Sequence, residues 1–214
     1  MSNKKKVSEA VIKRLPRYYR YLGDLKSEGI TRISSGELSK LMGTTASQIR
    51  QDLNCFGGFG QQGYGYNVEY LYNEISDILG TNIENSMIIL GAGNLGKAIA
   101  NYSNFQKRGF FIKAIFDKDE NIVGKNINNI PVYDINTLKE FLDNNDVEIV
   151  VLAIPAVGVK KVIDIIINSD IKGIWNFSYL DLKVPSNIAM VNMHLSDSLM
   201  TLSYKISKLH ENDK

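Results

Sequence analysis

The segment Met87 to Tyr102, MIILGAGNLGKAIANY, restricts the fold more than any other part of the chain. Met87 to Leu90 is a short apolar run suited to a strand buried in a parallel sheet. It leads directly into Gly91, Gly93 and Gly96, and Lys97 to Tyr102 continues as a helix. The glycines have separate physical tasks. Gly91 permits the tight turn, Gly93 lets the backbone approach a pyrophosphate, and Gly96 lets helix and strand pack closely. By itself GxGxxG is a weak signal. Here a strand precedes it, a helix follows, and a second apolar run, Phe110 to Phe116, ends in Asp117, twenty-one residues after Gly96. A carboxylate at that point accepts hydrogen bonds from an adenosine ribose and repels a 2′-phosphate. It therefore favours NAD(H) over NADP(H), although neighbouring Lys118 offsets some of the repulsion. The candidate cofactor residues of this segment are Gly91, Ala92, Gly93, Asn94, Leu95, Gly96 and Asp117.

The alternation continues downstream. The patterning predicts a helix near Ile135 to Leu142, a strand Val147 to Ile154, a helix near Val157 to Ile167 and a strand Gly173 to Phe177. Such alternation implies an α/β fold, a parallel sheet with helices on both faces. Ligands bind these sheets at the carboxyl ends of the strands, which places Ile154, Pro155 and Asn176 towards the nicotinamide end of a dinucleotide. Tyr102 and Phe105, leaving the first helix, can face the same end. Core packing accounts for these apolar residues equally well.

Upstream the chain changes character. In Thr45 to Tyr66, TASQIRQDLNCFGGFGQQGYGY, a polar-faced helix runs into a glycine-rich, amide-rich hairpin. Thr45 and Gln48 have capping-box spacing at the helix start. Ile49, Leu53 and Phe56 share one face on a 3.6-residue period, leaving Ser47, Gln48, Arg50, Gln51 and Asn54 towards solvent. Such side chains read base edges and hold phosphates. With Thr45 from the helix start, and Gln61, Gln62 and Tyr64 from the hairpin as a wing, they are the candidate DNA contacts. An ordinary solvated helix face is the alternative. Before this helix, Ser34 and Glu37 form another capping-box pair and Met42-Gly43 supplies a turn, giving the helix-turn-helix order. Val11, Leu15, Tyr18, Tyr19 and Leu22 mark an amphipathic helix from near Ser8, with Pro16 either kinking it or opening a second helix. Residues 1 to 50 hold eleven Lys or Arg against four Asp or Glu, net +7, while the whole chain is only +2. The positive charge is therefore local, as on a surface that meets phosphates. Lys4, Lys5 and Lys6 alone say little. A helix from about Val68 to Leu79, closed by Gly80, precedes the polar stretch Thr81 to Ser86, where the boundary is placed.

The longest uninterrupted apolar run, Ile149 to Val159, has eleven residues and contains Pro155 and Gly158, so it does not span a bilayer. The one cysteine, Cys55, excludes an internal disulfide framework and a cysteine-cluster zinc site; no metal is expected. It is expected as a small buried side chain at the end of the recognition helix. With no signal-peptide pattern before the first helix, the cytoplasm is the expected location. Tyr179 and Lys183 have the Tyr-x-x-x-Lys spacing of short-chain dehydrogenases, with Ser178 adjacent. That dyad requires a helix, and here Val184-Pro185 follows at once, as in a connecting segment. His194 and His210 are the other proton-transfer candidates of note. No catalytic residue is assigned; an NAD-dependent oxidoreductase with an incidental basic domain and a CoA-binding module are the rival readings.

The chain resembles the Rex family, the NADH-sensing transcriptional repressors of Gram-positive bacteria. The resemblance runs from RLPRYYRYL at 14 to 22 and ISSGEL at 33 to 38, through QIRQDLNCFGGFGQQGYGY and GAGNLG, to GIWNF at 173 to 177. It implies a homodimer with a winged helix-turn-helix DNA-binding domain over 1–80 and a Rossmann-like NAD(H)-binding domain, related to CoA-binding domains, over 86–193. Residues 194–214 would be a dimerisation helix and tail, the helix being exchanged between partners. Leu195, Leu199, Leu202, Ile206 and Leu209 alternate four and three apart, which fits packing along a narrow seam, although packing on the chain's own core gives the same stripe. The resemblance further implies a palindromic operator bound when NADH is scarce and released when NADH closes the two cores. NAD+ and NADH differ by a positive charge at the nicotinamide, so a mainly apolar pocket there favours the neutral reduced ring. Two departures stand out. Many family members carry Lys where this chain has Gln51, and Ser-Tyr where it has Asn54-Cys55, which bears on the operator sequence. In some members an Arg matching Arg20, a Tyr matching Tyr102 and an Asp form a switch contact; here His194 stands at the Asp position. A neutral His does not pair with Arg as a carboxylate does, which implies different wiring with some pH dependence.

Overall fold

The structure, a computed structural model, describes residues 7–57, 59–61 and 64–212. The chain folds as two compact units that divide between Ile83 and Glu84.

The first unit begins with α1 (Glu9–Ser27), whose stripe Val11, Leu15, Tyr18, Leu22 and Leu25 is buried. Pro16 lies inside this one continuous helix on its exposed side, so neither a second helix nor a break occurs there. β1 (Arg32–Ile33) follows, then α2 (Ser35–Met42), which opens on the complete Ser34–Glu37 capping box and closes at Gly43 with φ 59°. α3 (Ala46–Asn54) opens on Thr45, whose hydroxyl accepts from the Gln48 amide N–H. β2 (Gly60–Gln61) and β3 (Gly65–Asn67) form the wing, and α4 (Val68–Leu79) ends at Gly80. The three short strands pair antiparallel in the order β1-β3-β2. Leu15, Leu22, Leu38, Ile49, Leu53, Leu71 and Ile75 make one core, so the helices and the wing are held around a single apolar centre.

The second unit contains β4 (Asn85–Leu90), α5 (Asn94–Ala100), β5 (Phe110–Asp117), β6 (Asn126–Ile127), β7 (Ile130–Asp134), α6 (Leu138–Asn144), β8 (Ile149–Leu152), α7 (Ala156–Ile167), β9 (Gly173–Asn176), β10 (Ala189–Asn192) and α8 (Leu195–Asn212). The sheet order is β10-β9-β8-β4-β5-β7-β6, parallel except for the β6–β7 edge pair. Alternate residues of β4 serve opposite faces: Ile88 and Leu90 join one core cluster, Met87 and Ile89 the other. That two-sided burial is why the central strands read as unbroken apolar runs. β6, β7 and β10 are not anticipated by the sequence patterning, because they are strands of two to five residues at or next to the sheet edges, and β7 carries Pro131. The predicted strand to Ile154 ends at Leu152, so Ile154 and Pro155 lie on the loop beyond the sheet. Leu195, Leu199, Leu202, Ile206 and Leu209 of α8 are all exposed, so their stripe does not pack on a core of the same chain. Among the described residues, no helix is long and apolar enough to cross a membrane.

Candidate nucleic-acid surface and dinucleotide cleft

On α3, Ile49 and Leu53 are buried and Phe56, just beyond the helix, is half-buried, while Thr45, Ser47, Arg50, Gln51 and Asn54 are exposed. Arg50 donates from Nη1 to Ser35 Oγ at 2.9 Å, which lays its guanidinium towards the start of α2. Tyr64 is 71% exposed beside the wing. Gln61 belongs to β2, paired with Gly65; Gln62 lies outside the described residues.

Gln48 differs from its neighbours. Its side-chain amide does not return to Thr45 to complete a capping box; Nε2 donates to Asp52 Oδ1 at 2.8 Å. Asp52, which sequence reasoning passes over, is 1% exposed in the middle of α3. Arg14 grips it bidentately, Nε to Oδ2 and Nη2 to Oδ1, both at 2.7 Å, and the Tyr18 hydroxyl donates to Oδ2 at 2.9 Å. Burial alone would raise the Asp52 carboxyl, but the bonds from Arg14, Gln48 and Tyr18 outweigh it and hold the group below the usual carboxylate range. Burial, then the bond to Asp52, pushes the Tyr18 hydroxyl well above its ordinary value. A signal for it exists in the sequence: Asp52 lies three residues after Ile49, on the helix face that the period buries. Arg17 also donates to the Met42 carbonyl oxygen, tying α1 to the end of α2. Cys55, expected to be buried, is exposed; α3 ends there and Sγ turns back to the Gln51 carbonyl at 3.3 Å.

In the second unit, a cleft of about 590 Å³ opens at the carboxyl ends of the strands, lined by Gly91, Gly93, Phe116, Asp117, Ile154 and Pro155 among others. Gly91 has φ +104°, and a Cβ there would lie 2.6 Å from the Ala153 carbonyl oxygen. A Cβ on Gly96 would lie 1.8 Å from the Gly91 oxygen, so α5 and the turn touch backbone to backbone. Above Gly93 nothing lies within 4 Å, which leaves room for a ligand's backbone approach. Asp117 accepts from Ala92 N at 2.6 Å through Oδ2, and from the N–H groups of Lys118 and Asp119 at 2.7 and 3.0 Å through Oδ1. It thus braces the glycine turn while Oδ2, with one accepted bond, keeps acceptor capacity for a ligand hydroxyl. Ala92 is buried, Leu95 half-buried and Asn94 exposed. The size, the open glycine and the terminal carboxylate fit a dinucleotide. A larger polar depression of about 820 Å³ lies at the opposite strand ends, around Ser86 and Asp146, away from the glycine turn.

Tyr102 is exposed and packs edge-to-face on Phe105 at 4.8 Å, outside the cleft lining. Asn176 is a brace and not a cleft residue: it is buried, donates to Leu180 O and Asn192 Oδ1, and accepts from Ser178 N and Oγ. Tyr179 sits at φ 59° in a non-helical segment with Lys183, so the dehydrogenase dyad geometry is not formed. Of the three residues expected from the resemblance to form a switch contact, Arg20 lies on α1 with its guanidinium carbon 5.7 Å from the Tyr21 ring centroid. His194 packs against Tyr179 at 5.6 Å, and Tyr102 has the contact given above. Among the described residues, no group of three or more His, Cys, Asp or Glu could hold a metal ion.

Residues 6–54 match the family described as putative DNA-binding protein N-terminus, and residues 82–180 match the CoA binding domain. The chain is 54% identical to the redox-sensing transcriptional repressor Rex of Thermoanaerobacter pseudethanolicus over 97% of this chain and 93% of that protein. It is 52% identical to the Rex repressor of Clostridium tetani over 99% of this chain and 100% of the relative. Among solved structures it is similar to RSP, a Rex-family repressor, in complex with NAD+ and operator DNA, with a TM-score of 0.90 and 51% identity over 98% of this chain and 96% of that one. The NADH complex of RSP gives 0.88 and 48%, over 98% and 100%.

Proposed function

The chain belongs to the Rex family of redox-sensing transcriptional repressors, and we propose that it binds a palindromic operator as a homodimer and is released when NADH enters the cleft of its second unit. The observation that carries this reading is the cleft at Gly91, Gly93 and Asp117, in a chain whose other unit presents Ser47, Arg50, Gln51 and Asn54 on one exposed helix face. The turn Gly91 to Gly96, with Ala92, Asn94 and Leu95, would hold the pyrophosphate, and Asp117 the adenosine ribose. Ile154 and Pro155 of the cleft lining would meet the nicotinamide, and Tyr102, outside that lining in this structure, would turn towards it when the ligand binds. An apolar surround there penalises the positively charged nicotinamide ring of NAD+ and not the neutral ring of NADH, and only such differential affinity can bias a DNA-binding equilibrium. Thr45, Ser47, Arg50, Gln51 and Asn54 would face the major groove, with the wing residues Gln61, Gln62 and Tyr64 on the backbone or minor groove. Arg20, Tyr102 and His194 would form the switch contact. The exposed stripe of α8 would be covered by the partner. The protein acts without turnover, in the cytoplasm, where an exposed thiol such as Cys55 stays reduced.

The test is to let the native protein select a palindromic duplex from random DNA and then to add NADH, NAD+, NADPH or CoA. Release by NADH at concentrations where the other three fail supports the reading. Release by CoA alone, or steady consumption of NADH that Tyr179→Phe abolishes, contradicts it.

A further inference from the structure

Between Arg50 and Lys97 the sequence contains no Lys or Arg. The wing therefore has no cation of its own, although a hairpin laid on a duplex meets a dense line of phosphates. The fold supplies one from β1. Arg32 stands opposite Asn67 and Ile33 opposite Tyr66 in the β1–β3 pair. Gly65 permits the approach, since a Cβ there would lie 2.6 Å from the Ile33 carbonyl oxygen. Arg32 consequently reaches Tyr64: Nη1 donates to the Tyr64 carbonyl oxygen at 3.2 Å, and the guanidinium carbon lies 6.0 Å from the ring centroid. Both residues are exposed, and among the described residues no carboxylate forms an ion pair with Arg32. One of its five donors is committed, which leaves the rest of the fork free. The same stretch of chain also carries the anchor of Arg50, Ser35, so two guanidiniums without an ion pair among the described residues bracket residues 33–35.

We propose that Arg32 is the phosphate-binding residue of the wing, a DNA contact that positions the hairpin on the duplex backbone without reading bases. The inference rests on the DNA-binding function proposed above. Tyr64 holds the guanidinium in place through its carbonyl and ring, so the arginine meets a phosphate with little further ordering. Lysine keeps the charge, glutamine keeps most of the length and polarity without it.

The experiment compares the salt dependence of binding for native protein, Arg32→Gln and Arg32→Lys, on the palindromic duplex selected by the native protein, with the thermal midpoint of each. For Arg32→Gln the slope of log K against log salt should become shallower by about 0.9 per half-site, so that the affinity lost between 50 and 200 mM salt shrinks roughly threefold per half-site. Base preference and the thermal midpoint should stay native, and Arg32→Lys should restore the slope. A native slope in folded Arg32→Gln, with selective DNA binding intact, overturns this assignment alone. Should Arg32→Gln fold poorly, Arg32→Ala takes its place: a folded Arg32→Ala protein with a slope shallower by the same amount supports the assignment, and one with a native slope overturns it. A native protein that selects no duplex overturns the underlying DNA-binding reading as well.

Discussion

The two units fix their functional backbone by opposite means. In the first, α3 is tied to α1 by polar groups: Arg14 and Tyr18 of α1 converge on the buried Asp52 carboxylate, joined there by Gln48 of α3 itself. In the second, the turn between β4 and α5 is held by the absence of side chains, Gly96 touching Gly91 and Gly91 touching Ala153, beneath a sheet buried on both faces. A hydrogen-bonded anchor specifies direction, which suits a helix whose exposed residues, as proposed, meet base edges in register. Bare backbone contact specifies distance, which suits a turn over which a phosphate-bearing ligand must lie. The difference also sets what each unit tolerates. The polar anchor answers to pH and to charge, and the glycine contact answers to volume.

A single methyl group is the strongest challenge to the second arrangement. Gly96→Ala would place its Cβ where the Gly91 carbonyl stands, and no flexible side chain is available to yield. We expect complete loss of NADH binding and a cost of about 4 kcal/mol confined to the second unit, at the severe end for a point substitution. Calorimetry and NADH titration check this, and a Gly96→Ala protein that binds NADH normally would break the comparison. For the first unit, Asp52→Ala leaves the buried Tyr18 hydroxyl without its acceptor and strips Arg14 of its partner. The expected cost is about 3 kcal/mol, at the lower end for breaking a buried pair because Arg14 is partly exposed and can rehydrate. The pH dependence follows from the lowered Asp52 carboxyl. Its contribution is fully present above the ordinary carboxylate range, near pH 4, and is lost as the pH falls below that through the folded-state value. Glu37, lowered by its bonds with Ser34, acts in the same direction, so Asp52→Asn should flatten the acid limb of a thermal-midpoint profile only in part. A limb unchanged in Asp52→Asn would remove Asp52 from the account. The smallest effect concerns the exposed face of α3. Arg50→Ala should cost roughly 1–3 kcal/mol in operator binding and relax preference at one symmetric position of each half-site. Loss that is uniform across sequences, with a shallower salt slope, would reassign Arg50 to a phosphate. Its NADH affinity without DNA should remain native.

What can be read in the sequence follows the same division. Gly91, Gly93, Gly96 and Asp117 form a local pattern in which each residue's task depends on near neighbours or on the next strand, so their spacing carries most of the cleft. The polar face of α3 is legible from its period. The place of Asp52 on the buried face is legible in the same way but its role is not, because its partners Arg14 and Tyr18 are one turn apart on a different helix, and a charged side chain on an apolar face gains its meaning only from tertiary pairing. Gln48 reads as a base contact for the same reason; its amide nitrogen is directed to Asp52. Asn176 looks like a ligand residue at a strand end, yet its amide satisfies the turn at Ser178 and Leu180. Cys55 is exposed because α3 stops one residue earlier, a boundary that apolar periodicity does not fix. Arg32 at the wing depends on the β1–β3 register, which two- and three-residue strands do not announce.

The central claim is that one ligand, NADH, biases one DNA-binding equilibrium. It is tested most directly by measuring both sides of the linkage: operator affinity with and without saturating NADH, and NADH affinity with and without saturating operator. The account predicts that the two ratios are equal, because coupling between two binding sites is reciprocal, and that NAD+ gives a much smaller ratio in both measurements. Operator affinity unchanged by saturating NADH, with NADH bound equally well to free and DNA-bound protein, would contradict it.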